Sequence, residues 1–114
     1  MHPRSPKLLE DIRDAAAFIK ASTLGSEAEA FRRNRLLRQA VERNFEIIGE
    51  AIRRIDKEDP ETAGRIANHR NIIAFRNVLS HGYDIIDPAI VWSAICDDLD
   101  PLLNDVEALL ATVG

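Results

Sequence analysis

Apolar residues recur at spacings of three and four along most of the chain, which is the period of an amphipathic α-helix. No segment alternates apolar and polar residues as a half-buried strand does. The pattern predicts helices over 7–22 and 26–57, a third that starts between residues 66 and 71, and a last one from residue 88. Pro101 is expected to kink or interrupt the last helix. We therefore predict an all-α fold, an antiparallel bundle of four to five helices, in a single domain over residues 1–114.

Local signals set the predicted helix ends. Ser5, followed by a proline, predicts an N-cap for the first helix, and Ser26, with a glutamate three residues later, predicts a capping box for the second. Asp87, again followed by a proline, opens the last helix. We expect residues 60–64 to form a loop and Gly82 to lie just past the end of the third helix.

The apolar face of each helix predicts the core. Cys96 is expected to pack as a small hydrophobic residue, and Trp92 as a core or interface aromatic. The other expected core residues are Leu8, Ile12, Ala15, Ala16, Ile19, Leu37, Val41, Phe45, Ile47, Ile48, Ala51, Ile52, Ile55, Ile72, Ile73, Phe75, Val78, Leu79, Ile90, Val91, Ile95, Leu99, Leu102, Leu103, Val106, Leu109 and Leu110.

A charged stripe runs along the second helix, because two arginines and three glutamates recur there every four residues, from Arg38 to Arg54. In one interpretation the stripe is exposed and its glutamates repel one another weakly. In the other it faces a neighbouring helix, where Glu46 or Glu50 pairs with an arginine such as Arg76 and holds it. Gly49, inside the same helix, predicts a bend or a close crossing of two helices.

Charge and composition limit the function. Residues 32–76 carry a net charge of +4, whereas residues 84–114 carry −7, so a local phosphate site is possible and a broad nucleic-acid footprint is not. Cys96 is the only cysteine, and the Cys/His spacing of a metal site is absent, so we expect no disulfide, metal or cofactor. Without an apolar membrane span or signal peptide, the sequence predicts a cytoplasmic protein that does not enter a membrane.

The stretch 76–83, Arg-Asn-Val-Leu-Ser-His-Gly-Tyr, gathers the residues that are suited to chemistry. On a regular helix Asn77 and His81 differ by about 40° in azimuth, so they can touch, whereas Arg76 and His81 differ by about 140°. Arg76 reaches the same site only if its side chain bends or if more than one helix builds the site. From spacing alone, this stretch is either an ordinary polar helix end or a catalytic site.

This stretch resembles the Arg-x4-His-x-Tyr signature of HEPN-domain toxins of the HepT type. Residues 41–51 resemble the long second helix of that family, residues 83–87 resemble its exit from the signature helix, and the resemblance covers essentially the whole chain. One departure lies at 68–70, Asn-His-Arg, where the family often has Trp-Arg, and it concerns the rim of the pocket.

The resemblance implies a HEPN-type bundle that acts as a metal-independent endoribonuclease and is the toxin of a type VII-like toxin–antitoxin pair. It implies that Arg76 and His81 are catalytic, that Asn77 supports them, and that Tyr83 is adenylylated by a minimal nucleotidyltransferase antitoxin. The expected partners are an RNA substrate, a second copy of the chain in a homodimer, and that antitoxin, with no DNA. The alternative is a non-catalytic helical module that binds a nucleotidyltransferase or a nucleotide.

Overall fold

The computed structural model describes residues 1–80 and 86–113, and these residues form helices and no strand. The all-α prediction is thereby confirmed. Within these two ranges the six helices are α1 (Ser5–Thr23), α2 (Ala28–Arg33), α3 (Arg35–Glu58), α4 (Pro60–Ala63), α5 (His69–Ser80) and α6 (Pro88–Ala111).

The core forms where α1 packs against α3 and α6 and where α3 packs against α5. From α3 it takes Val41, Ile48, Ile52 and Ile55, which are fully buried at the predicted helical spacing. Burying such side chains stabilises a fold by about 1.5–3 kcal/mol each. The short helix α2 adds Phe31, whose ring centroid lies 5.4 Å from that of Trp92 on α6.

Four expected core residues are placed differently by the structure. Leu9, rather than Leu8, is fully buried on α1. Val78 and Ile90 are 60% and 58% exposed, and Cys96 is exposed as well, because these sides of α5 and α6 face solvent. The apolar period thus located the helices correctly and misjudged the width of their buried faces.

The predicted continuous helix over 26–57 is wrong, because the chain breaks at Asn34. This residue has an extended backbone, and its side-chain oxygen accepts a hydrogen bond of 3.0 Å from the backbone nitrogen of Leu37, which caps α3. The capping box at Ser26 is also wrong, since α2 begins after Glu27 with no side-chain cap. Glu29 instead bonds the side chains of Arg32 and Arg33.

Hydrogen bonds to Asp59, the residue that follows the end of α3, hold the N-terminal residues of the chain against that helix end. Ser5 is buried inside α1, not at its N-cap, and its hydroxyl donates to the Asp59 carboxylate at 2.8 Å. The backbone N–H of His2 and the hydroxyl of Thr62 also donate hydrogen bonds to this carboxylate, at 2.9 and 2.7 Å. These hydrogen bonds hold the pKa of Asp59 far below its usual range, and the one from His2 has the largest effect. Because Asp59 also caps the next turn, residues 60–63 are helical instead of the expected loop.

Helix α6 starts as predicted and continues past its proline. Asp87 caps it by accepting a hydrogen bond of 2.9 Å from the backbone nitrogen of Ala89. Pro101 lies inside α6 and does not interrupt it, so the interruption that was one of the two expected outcomes does not occur. Pro101 and Asp97, one turn earlier, are both exposed, so water can reach the carbonyl that the proline leaves without an N–H partner. Across the described ranges, every helix is too short or too polar to cross a membrane.

Candidate functional site

Helix α5 crosses α3 at Gly49, as the predicted close crossing required. A Cβ atom built on Gly49 would lie 2.7 Å from Cγ of Arg76 and 3.3 Å from the carbonyl oxygen of Ile72. Real Cβ atoms do not approach a neighbour to the first of these distances, so any other residue would displace α5 or the arginine. The missing side chain of Gly49 therefore brings the stem of Arg76 onto the surface of α3.

The guanidinium of Arg76 is held by two described side chains. Its Nη2 atom lies 3.1 Å from Oε2 of Glu50, and its Nη1 atom donates a hydrogen bond of 3.2 Å to Oδ1 of Asn77. The Nε atom is buried and has no hydrogen-bond partner among residues 1–80 and 86–113. The structure thus brings together two of the predicted site residues, Arg76 and Asn77, and adds Glu50.

The charged stripe of α3 divides between the two interpretations given above. Glu50 pairs with Arg76 across the helix crossing, whereas Glu46 lies 3.6 Å from Arg43 on its own helix. Both glutamates are partly buried, with side chains 26% and 28% exposed. The stripe therefore faces α5 at Glu50, whereas the ion pair of Glu46 is formed with a residue of α3 itself.

Three arginines, Arg53, Arg54 and Arg76, form ion pairs with the carboxylate of Glu50. Arg53 and Arg54 reach the same carboxylate at 3.3 and 3.2 Å. The hydrogen bond from Arg53 is the largest cause that lowers the pKa of Glu50; Arg54 and the charge of Arg76 add to it, against partial burial, which raises it. Glu50 is consequently ionised at neutral pH. The role of Arg53 and Arg54 was not predicted, although their spacing of three and four residues from Glu50 is typical of helical ion pairs.

A cavity of about 240 Å³ opens at this cluster and is lined by residues of α1 and α3 and by Arg76 of α5. Three carboxylates and three guanidinium groups line it, so the lining as a whole attracts neither sign of charge. Attraction for a phosphate must instead come from the orientation of individual arginines. The charged lining consists of Asp11, Arg43, Glu46, Glu50, Arg54 and Arg76.

The remaining predicted site residues, His81 and Tyr83, lie outside the described residues, as does the predicted helix-end residue Gly82. Among the described residues, α5 ends at Ser80, one turn after Arg76. Within 1–80 and 86–113, no three histidine, cysteine, aspartate or glutamate side chains are grouped so that they could hold a metal ion.

Comparison with known proteins identifies the family. The family model described as "Ribonuclease HepT-like" matches residues 12–109, which is most of the chain. The chain belongs to the HepT-like ribonuclease family. The resemblance of residues 76–83 to the HepT signature agrees with this membership.

Three relatives of this HepT-like chain are named as RNases. "Putative RNase MJ1380" of Methanocaldococcus jannaschii is 31% identical over 99 residues, which cover 87% of this chain and 90% of that protein. "Putative RNase TTE0752" of Caldanaerobacter subterraneus is 29% identical over 102 residues, 90% of each chain. "Putative RNase MJ1216" of M. jannaschii is 27% identical over 106 residues, 93% of this chain and 84% of that protein. No solved structure matches the chain.

Proposed function

We propose that this protein is an endoribonuclease that cleaves RNA without a metal ion, with Arg76 and His81 as its catalytic residues. Membership of a ribonuclease family gives the activity class, cleavage of RNA. The observation that carries the proposal is the placement of Arg76, whose guanidinium is held by Glu50 of α3 and by Asn77 of its own helix, α5. An arginine held in this way is suited to binding a phosphate group at a defined position.

The chemistry requires three roles. A base removes the proton of the ribose 2′-hydroxyl, the 2′-oxygen attacks phosphorus, and the bond to the 5′-oxygen breaks while an acid protonates that oxygen. The products are a 2′,3′-cyclic phosphate and a 5′-hydroxyl. Arg76 supplies positive charge to the phosphate as its negative charge grows, and His81, which titrates near neutral pH, transfers protons. Asn77 supports Arg76 through the hydrogen bond to Nη1.

The proposed enzyme is a homodimer. One site histidine in each chain fills only one of the two proton-transfer roles, so a two-fold axis that brings two Arg76/His81 pairs together supplies the second. The exposed apolar side chain of Val78 supports an interface on the solvent-facing side of α5.

The proposed biological role is that of a toxin in a type VII-like toxin–antitoxin pair, acting on cellular RNA in the cytoplasm. A minimal nucleotidyltransferase antitoxin transfers AMP to the hydroxyl of Tyr83, with pyrophosphate leaving when ATP is the donor. The added phosphate lies two residues from His81 in the sequence, so it excludes RNA by its bulk and by repulsion of the RNA phosphates.

Expression without the partner tests this function. Cells that produce the wild-type chain should stop growing and accumulate new RNA ends, which sequencing of those ends detects, whereas cells that produce His81→Ala or Arg76→Ala should do neither. The alternative, a non-catalytic module that binds a nucleotidyltransferase or a nucleotide, predicts no new RNA ends and a complex that survives His81→Ala. Absence of cleavage by the wild type would select that alternative.

A further inference from the structure

We propose that Gly49 and Glu50 are positioning residues for Arg76 and together form a seat for it on α3. This inference rests on the proposed function, because it assigns the seat a role in the reaction that Arg76 performs. Neither residue contacts the reacting atoms in this proposal. Each acts on the rate only through the placement of the Arg76 guanidinium.

Gly49 supplies the steric half of the seat. Its backbone approaches the stem of Arg76 so closely that a Cβ atom would overlap the Cβ and Cγ atoms of the arginine. Glycine destabilises the interior of a helix relative to alanine, so α3 is intrinsically less stable with Gly49 than it would be with alanine at this position. The close contact with Arg76 requires the glycine nevertheless. The contact sets where the arginine stem leaves α5 and therefore which part of α3 the guanidinium reaches.

Glu50 supplies the electrostatic half. It pairs with Nη2 of Arg76 while Asn77 accepts from Nη1, so the guanidinium plane is held at two nitrogens. A guanidinium carries five N–H donors; the hydrogen bond to Asn77 uses one of those on Nη1, whereas Glu50 holds Nη2 as an ion pair. In this proposal the other donors on Nη1 and Nη2 bind two oxygens of one phosphate. A guanidinium fixed in advance loses less conformational freedom when the phosphate arrives.

The same ion pair could instead withhold Arg76 from RNA, and the charges around Glu50 argue against that role. Its carboxylate is shared among Arg53, Arg54 and Arg76 at 3.3, 3.2 and 3.1 Å. Three guanidiniums and one carboxylate give this cluster a net charge of +2, even though the cavity lining as a whole is neutral, so Glu50 does not cancel the charge of the arginines that it holds. Glu50 thus orients Arg76 without neutralising its surroundings.

The test replaces the carboxylate by its neutral isostere. Glu50→Gln should lower both kcat and kcat/KM for cleavage of a short RNA by about 10–100-fold, which is the usual cost of losing a partner that orients a functional group. Glu50→Asp, which keeps the charge, should recover part of that loss. The matched control is Glu46→Gln. Glu46 lies on the same stripe and lines the same cavity, its side chain is 28% exposed, and within residues 1–80 and 86–113 it pairs with Arg43 alone, so the rates of this variant should stay within about twofold of wild type.

A double-mutant cycle separates positioning from a general loss of structure. In an Arg76→Ala background, single-turnover rates should not fall further when Glu50→Gln is added, because Glu50 acts through Arg76. A rate for Glu50→Gln at or above wild type, or an equal loss in the Arg76→Ala background, overturns the seat. If Arg76→Ala itself cleaves like wild type, the proposed function fails instead, so the two failures are distinguishable.

Discussion

The carboxylate of Glu50 on α3 lies 3.1 Å from the guanidinium of Arg76 on α5. At the neighbouring residue, Gly49, the backbone of α3 lies against the side-chain stem of that arginine. One residue of this pair belongs to α3, whose Val41, Ile48, Ile52 and Ile55 are fully buried in the core, and the other belongs to the signature stretch. The placement of Arg76 is therefore coupled to the packing of the whole bundle.

Arg76→Lys tests whether the planar guanidinium matters beyond its charge. Lysine keeps the charge but cannot hold Glu50, Asn77 and a phosphate with one rigid fork. We expect RNA cleavage to fall by about 10–100-fold, measured as kcat/KM on a short RNA. Arg65→Lys is the control, since Arg65 is 63% exposed and pairs only with Glu61 among the described residues, so its activity should be that of wild type. Equal activity of Arg76→Lys and wild type would contradict this assignment.

Gly49→Ala should destabilise the protein. In an open helix this change stabilises by about 1 kcal/mol, whereas the overlap with Arg76 should turn it into a loss of about 1–3 kcal/mol in the free energy of unfolding. Denaturant unfolding measures the difference. The control, Gly64→Ala, meets its nearest atoms at 3.3 and 3.5 Å, so its effect should remain below about 1 kcal/mol. A neutral or stabilising Gly49→Ala would show that the crossing has room for a side chain.

Asp59→Asn should lower the free energy of unfolding at pH 7 by about 1–3 kcal/mol, because the variant weakens the charged hydrogen bonds from His2, Ser5 and Thr62. The folded pKa of Asp59 is depressed, so its contribution is fully present above the unfolded pKa of about 4. The contribution is lost as the pH falls through the folded pKa.

Urea unfolding at pH 7, 5 and 3 measures this dependence. The difference between wild type and Asp59→Asn should be constant from pH 7 to 5 and smaller at pH 3. Asp14→Asn, at a side chain that is 69% exposed, should show little difference at any of these pH values. A difference for Asp59→Asn that grows on acidification would contradict the role given to its carboxylate.

Tyr83 should carry one adenylate after co-expression with an active minimal nucleotidyltransferase. Intact-protein and peptide mass spectrometry locate the group, and the modified protein should no longer cleave RNA. Tyr83→Phe keeps the ring but lacks the hydroxyl, so it should stay unmodified and should cleave RNA in the presence of the partner. An unmodified tyrosine in every preparation would remove this form of control.

The helical period predicted the long helices but not the break between α2 and α3. Asn34 ends one helix and caps the next, whereas Asn44, inside α3, donates its side-chain amide to the carbonyl of Ala40 and leaves the helix intact. The same residue type thus plays two roles. The difference arises from packing, because the break lets Phe31 turn into the core beside Trp92.

The sequence narrowed the ion-pair partner of Arg76 to two candidates, Glu46 and Glu50. Glu46 and Glu50 occupy equivalent places on one stripe, so the sequence could not distinguish them. Only Glu50 lies beside the glycine at which α5 approaches, and that approach depends on the burial of Ile72 and Leu79 from α5. The residue types of the site were readable from the sequence, whereas their partners depend on how the helices dock.

The most direct test of the central claim is cleavage of RNA by the purified chain in the presence of EDTA. Wild-type protein free of its partner should cleave with undiminished rate in EDTA and leave cyclic phosphate ends. Arg76→Ala and His81→Ala, shown to be folded by circular dichroism, should each be at least about 100-fold slower. No cleavage by the wild type, or a wild-type rate for His81→Ala, would contradict the account.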